Sequence, residues 1–295
     1  MGSTQAKISE HPDHGTVLVW VKVYSSLFSP LSFNILRVVC IYLKPAPCLF
    51  WITNASLLYY NFDLDNPDTI LPSPRISLTR VIQANGNSRW AVIDSHRAVL
   101  CGGGSNKQAW KSGYLVNRAG GVQVLPEMLW GHVCAGVVVR KATVLVFGSS
   151  DEKGERSCES LQLPGTIWTE LGEMHRPRYC FTPAIWQAAI YLCGGQYNNN
   201  TIEVLHGQQL HLLEFSLPEG GRTLACAPES TLLVISLNYM TVLSCTEKQL
   251  SCTSKKREGE NVLPYTNPVC WQHAIFNIED RHLRKYSIEN GQTLQ

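Results

Sequence analysis

Charge is scarce in this sequence. Asp, Glu, Lys and Arg make up 16% of its 295 residues while 44% are hydrophobic, against roughly a quarter charged in an average globular chain. That balance excludes a disordered acidic tail and a sustained coiled coil. Neither sign of charge dominates: 25 basic and 23 acidic residues leave a formal net charge of +2, so the basic footprint of a nucleic-acid binder is missing. Long apolar runs are missing too. The most apolar stretch, residues 17–43, is interrupted by Lys22, Pro30 and Arg37, leaving no window of about 20 uncharged residues to span a membrane. The opening residues are polar and include Glu10 and Asp13, unlike a secretory signal. A soluble cytoplasmic chain, with neither nucleic acid nor membrane as partner, is expected.

Matched cysteine spacings are also absent. The 11 cysteines are odd in number, form no CxxC pair and sit mostly inside apolar runs such as VLCGGG and IYLCGG. Disulfide frameworks and zinc sites need closely set, matched pairs. These cysteines therefore read as free thiols packed as small core hydrophobes in a reducing compartment. The close pairs His11/His14, Cys270/His273 and His206/His211 lack a second pair at zinc spacing. There is no P-loop, no G-x-G-x-x-G and no G-x-S-x-G. No cofactor, no metal and no catalytic residue is expected.

What the chain does contain is repetition. Three apolar runs end on Gly102-Gly103, Gly148-Ser149 and Gly194-Gly195, each 46 residues after the last, and Leu125, Leu171 and Leu217 keep the same interval. Weaker copies flank these, at 48–64 upstream and at 231–244 and 270–288 downstream, giving about six units. Inside a unit the runs are short, rich in Val and Ile and bounded by polar turns, which reads as strands. HVCAGVVVRKATVLVFG, for example, makes two strands around a turn at Arg140-Lys141. Four antiparallel strands per 42–46 residues is the blade of a β-propeller.

The double glycine closing an apolar strand, a Trp about twenty residues later (Trp168), then Met174, Arg176 and Arg178, resembles the kelch repeat. The likeness is good over about residues 88–219 and only rhythmic beyond. It implies an all-β, kelch-like β-propeller of about six four-stranded blades over residues 46–295, with degenerate terminal blades. Residues 1–45 do not fit the repeat. Within them VLVWVKVY (17–24) alternates, and it is expected to supply the ring-closing strand of the last blade, whose own fourth strand begins where the chain stops.

Kelch proteins mostly bind partners through loops on one face, so the resemblance implies a non-catalytic protein-interaction module, a scaffold or substrate-recognition propeller. The alternative is a propeller enzyme of carbohydrate-active or redox type. A cross-linked Tyr–Cys pair from Tyr179-Cys180 is disfavoured, because neighbours on one strand point to opposite faces. Gly102, Gly103, Gly148, Gly194, Gly195 and Trp168 read as structural, the glycines allowing close backbone approach and Trp168 plating the space between adjacent blades. The loops after the glycines differ freely between units and bring Lys107, Trp110, Arg156, Tyr197 and Asn198. The connections between blades add Arg176 and Arg178, and also hold Arg89, Trp130, His132 and Arg222. Arg, Trp and Tyr are common interface anchors. A protein partner is expected at these positions, with Trp110, Arg156 and Tyr197 on one rim.

Overall fold

The structure, a computed structural model, describes residues 5–10, 17–22, 48–52, 55–62, 70–72, 74–105, 107–196, 199–221, 223–226, 231–236, 238–246, 249–256, 269–271, 274–279, 282–289 and 292–294. Among the described residues every regular element is a β-strand and none is a helix. No helix there is long and apolar enough to cross a membrane. The chain divides into two compact units, Met1–Pro47 and Cys48–Gln295.

In the first unit β1 (Gln5–Glu10) pairs antiparallel with β2 (Val17–Lys22), from Gln5↔Lys22 to Glu10↔Val17. This corrects the expectation for VLVWVKVY. Its partner is its own neighbour in sequence, which costs little loop-closure entropy. Residues 23 and 24 lie outside the described residues.

Among the described residues the second unit holds six four-stranded antiparallel sheets and one two-stranded hairpin. In sheet I, β4 (Ser56–Phe62) pairs with β3 (Cys48–Ile52) on one side and with β5 (Ile70–Pro72) and β6 (Ile76–Ser77) along the other. Sheet II runs β7 (Arg89–Asp94), β8 (Arg97–Cys101), β11 (Gly113–Asn117), β12 (Val122–Val124), and its middle loop contains the small hairpin β9 (Gly104–Ser105) and β10 (Gln108–Ala109). Sheet III is β13 (Gly136–Arg140), β14 (Thr143–Phe147), β15 (Ser157–Gln162) and β16 (Thr169–Glu173). Sheet IV is β17 (Ala184–Trp186), β18 (Ala189–Cys193), β19 (Thr201–His206) and β20 (Gln209–Ser216). Sheet V is β21 (Leu224–Cys226), β22 (Thr231–Ile235), β23 (Tyr239–Thr246) and β24 (Gln249–Lys256). Sheet VI is β25 (Val269–Trp271), β26 (Ala274–Glu279), β27 (His282–Glu289) and β28 (Gln292–Leu294). Its fourth strand is therefore β28, from the C-terminal end of the chain, through Ser287↔Leu294.

The apolar runs explain the packing. Second strands such as β14 and β18 are buried along nearly their whole length, whereas the fourth strand β16 is mostly exposed. A strand covered on both faces reads as a continuous apolar run rather than an alternating one. In β14, Val144 and Val146 pack with Ala91, Val99 and Cys101 of sheet II. Leu145 and Phe147, on the other face, pack with Ile190 and Leu192 of sheet IV. Similar apolar layers lie between sheets I and II and between IV and V. The core is thus a series of layers between consecutive sheets.

The 46-residue interval is visible in the backbone as well. The β13–β14 hairpin turns on Lys141 and Ala142 (φ 48° and 59°) and the β17–β18 hairpin on Gln187 and Ala188 (φ 48° and 61°). Two left-handed central residues make a tight turn whose twist matches the flanking strands, usually with Asn-Gly. The turn lies one residue later than the Arg140-Lys141 reading.

Candidate functional site

In a four-stranded antiparallel meander, the loop between the second and third strands and the connection to the next sheet leave from the same end. Hydrogen bonds lace the two together. His132 N–H donates to the Trp110 carbonyl at 3.0 Å, and Arg178 N–H to the Glu155 carbonyl at 2.9 Å. Gln196 N–H donates to the Tyr179 carbonyl at 2.9 Å.

The glycines make this lacing possible. Gly102, Gly148 and Gly194 all adopt left-handed φ, at 62°, 66° and 63°. A Cβ on Gly148 would stand 2.1 Å from the Arg178 carbonyl oxygen, and one on Gly102 2.3 Å from that of His132. Gly102 and Gly148 therefore admit the connection to the following sheet at backbone contact distance, whereas a Cβ on Gly194 would meet the Thr223 side chain. The second position is handled differently. A Cβ on Gly103 would meet Ser88 Oγ and the Trp110 ring. Ser149, at the equivalent place, uses its Oγ to accept from Val133 N (2.9 Å) and Asp151 N (3.1 Å).

Behind the glycines stand two buried acids. Glu159 of β15 and Glu203 of β19 have no solvent exposure. Glu159 accepts from Leu129 N (2.8 Å) and Trp130 N (3.2 Å) and lies 2.6 Å from His132 Nε2, whose Nδ1 donates to the Gly148 carbonyl. Glu203 accepts from His175 N (2.8 Å), Arg176 N (3.2 Å) and Arg178 Nη2 (2.9 Å), while Arg178 Nη1 reaches the carbonyls of Gly194 and Thr201. Residues 129, 130 and 132 are each 46 before 175, 176 and 178, so the two clamps are copies. Burial opposes charge on Glu203, but Arg178 beside it and the His175 N–H hold its carboxyl below the ordinary value of 4.5. Burial likewise pushes the Arg178 guanidinium down, and Glu203 opposes that shift. Both acids are consumed in holding the connection that leads into their own sheet.

Arg178 is thus corrected as a partner-binding residue. Its guanidinium has no solvent exposure and spends its donors on Glu203, Thr201 and Gly194. Arg156 is exposed, yet its Nε donates to the Met174 carbonyl at 2.7 Å and its Nη2 lies 3.3 Å from Glu173. Trp110 is half-buried and Lys107 exposed. Tyr197 and Asn198 lie outside the described residues. Arg176 is exposed and, among the described residues, its side chain makes no ion pair. Gly103 and Gly195 are buried, as is Trp168, which lies in the layer between sheets II and III and donates Nε1–H to the Pro126 carbonyl at 2.9 Å.

Tyr179 and Cys180 precede β17 instead of lying on a strand, and both belong to one small cluster with Val133 and Cys134. The opposite-faces reading of that pair is corrected accordingly. Sequence reasoning missed three features: Glu159 and Glu203, each the one acid of its third strand, and Leu129. Leu129 is 41% exposed and its neighbour Trp130 36%, while the backbone N–H groups of both are fixed by Glu159. Among the described residues no three His, Cys, Asp or Glu side chains gather as a metal site would require. No protein-family model matches the chain, and no curated protein matches it.

Proposed function

We propose that the second unit is a kelch-like propeller of six blades acting as a non-catalytic protein-interaction module, which reads its partner with the loop end of the sheets. One observation carries this reading. The backbone of the exposed tetrad Leu129, Trp130, His175 and Arg176 is fixed from behind by buried carboxylates, so an apolar and cationic surface is presented on rigid connections. Pre-organised Trp and Arg side chains are what interface anchors require.

The propeller reading is supported by the order of neighbours. β3 lies against β7, β7 against β13, β13 against β17 and β17 against β21, and β26 of sheet VI touches β3 of sheet I. A propeller enzyme would need acids, histidines or arginines free to converge on substrate, whereas Glu159, Glu203, His132 and Arg178 all bond within the clamps. Among the cysteines whose side chains are described no disulfide is formed, which fits a reducing, cytoplasmic setting. The test is quantitative affinity capture from one cell extract with the wild type and the Trp130→Ala/Arg176→Ala variant as baits. A protein retained by the wild type and lost by the folded variant supports the reading. Identical captured sets from the two baits overturn it.

A further inference from the structure

We propose that Cys134 and Cys180 are a peroxide-sensitive dithiol that closes into a disulfide and staples sheet III to sheet IV. The two residues occupy one position in successive units, 46 apart, and share an unusual left-handed backbone (φ 55° and 54°). Cys180 N–H donates directly to the Cys134 carbonyl at 2.7 Å. One such bond of 2.7 Å limits the Cα–Cα separation to about 6.6 Å by the standard backbone lengths, within the range of about 4.4–6.8 Å that disulfides span. Both side chains belong to the same small cluster with Val133. Cys134 Sγ–H donates to Asn87 Oδ1 at 3.2 Å, a bond that closing the disulfide gives up.

The surroundings distinguish this pair from the other buried thiols. Cys134 and Cys180 keep 6% and 8% exposure, against 2%, 0% and 0% for Cys101, Cys158 and Cys193. Burial pushes the Cys193 thiol up to about 12 and moves those of Cys101 and Cys158 in the same direction. Those three are inert core groups. Near Cys134 and Cys180 stands the Tyr179 phenol, held up chiefly by burial and then by the two cysteines.

The chemistry balances with hydrogen peroxide as oxidant. One thiolate attacks the O–O bond, giving a sulfenic acid and hydroxide. The second thiolate attacks the sulfenic sulfur, the S–S bond forms, and hydroxide leaves. Two thiols and one peroxide become one disulfide and two waters, each sulfur losing one electron and the peroxide gaining two. The staple falls four residues beyond Trp130 on one side and four beyond Arg176 on the other. It therefore fixes the two exposed connections relative to each other.

The test uses the full chain, treated with hydrogen peroxide, capped with N-ethylmaleimide and mapped by mass spectrometry without reduction. The expected product is a Cys134–Cys180 linked peptide, lighter than the two free peptides by two hydrogens and cleaved by dithiothreitol. Closing a loop of this length constrains the unfolded chain, so the wild type should melt at a higher temperature after oxidation, and Cys134→Ser and Cys180→Ser should not. Sulfinic or sulfonic acid on separate peptides, linkage to a different cysteine, or two unreacted thiols would each overturn the proposal. This readout needs no binding partner, so its failure is distinguishable from failure of the interaction reading.

Discussion

Replacing Glu203 by Ala removes the anchor of the joint between sheets III and IV. The carboxylate holds two backbone N–H groups, those of His175 and Arg176, as well as the buried Arg178 guanidinium. Removing one partner of a buried pair costs about 3–5 kcal/mol, and each orphaned buried N–H about 1–3 kcal/mol. These losses share the same relaxation and are not summed; a loss of about 4 kcal/mol is expected, a large part of an ordinary domain's stability of roughly 5–15 kcal/mol. Arg178→Met should cost about 3 kcal/mol, because Glu203 keeps its backbone donors. The double variant Arg178→Met/Glu203→Met separates two explanations. If charge pairing were the whole role, an apolar pair would restore stability to near the wild type. If the pair serves the backbone, His175 N, Arg176 N and the carbonyl of Gly194 still lack the partners that Glu203 and Arg178 supplied, and the double variant stays about 3 kcal/mol below wild type. Urea unfolding followed by tryptophan fluorescence measures this, with the slope on denaturant unchanged. A Glu203→Ala loss under about 1 kcal/mol, or a double variant as stable as the wild type, would refute the clamp.

The remaining expectations are simpler. Gly148→Ala forces a Cβ to within 2.1 Å of the Arg178 carbonyl and should cost at least about 3 kcal/mol. Gly172→Ala, at φ 101° with nothing within 4 Å, should cost only the left-handed strain of about 1–2 kcal/mol; equal losses in chemical denaturation would sink the close-approach argument. Trp130→Ala and Arg176→Ala should each leave folding within about 0.5 kcal/mol while weakening partner binding by about 2 kcal/mol at a true anchor, which calorimetric titration against the captured partner tests. Acid should loosen the same joint. Glu203 sits below its ordinary value of 4.5 when folded, so it adds stability above that pH and loses the contribution as pH falls through the folded value. Melting temperatures between about pH 5 and pH 3 should therefore fall less steeply in Glu203→Gln than in the wild type, and parallel profiles would contradict the assignment.

The strands of sheets II to IV were readable in the sequence because each of their second strands is covered on both faces and must be apolar throughout, as VLVF before Gly148 and IYLC before Gly194 are. The terminal sheets were harder, since CLFWI and AIFNIE carry no double glycine to set their phase. Closure was misread for a local reason. The fourth strand β28 is only three residues long, so the space left for it looked empty. Arg178 was misread because an Arg beside a Pro in a polar connection looks solvent-exposed. Its burial depends on Glu203, which lies 25 residues away in sequence and faces it only after β19 has paired with β18.

The same geometry explains why the repeat tolerates so much change in residue type. Gln83, Leu129 and His175 are spaced by 46, and each donates its backbone N–H to a side-chain oxygen on the third strand of the sheet that follows. In sheet III the oxygen belongs to Glu159 and in sheet IV to Glu203, but in sheet II it is the hydroxyl of Tyr114, 3.1 Å from Gln83 N. Tyr114 faces Leu100, Glu159 faces Val146 and Glu203 faces Leu192, and those partners are again 46 apart. The carbonyl of the first glycine shows the same substitution. It receives Ser88 Oγ in sheet II, His132 Nδ1 in sheet III and Arg178 Nη1 in sheet IV. A buried backbone group needs a partner of the right polarity at the right distance, and Tyr or Glu serves for one, Ser, His or Arg for the other. Sequence patterns that count residue identities see these units as degenerate. The hydrogen bonds repeat in register across all three sheets, which is why the exposed residues between them are free to differ.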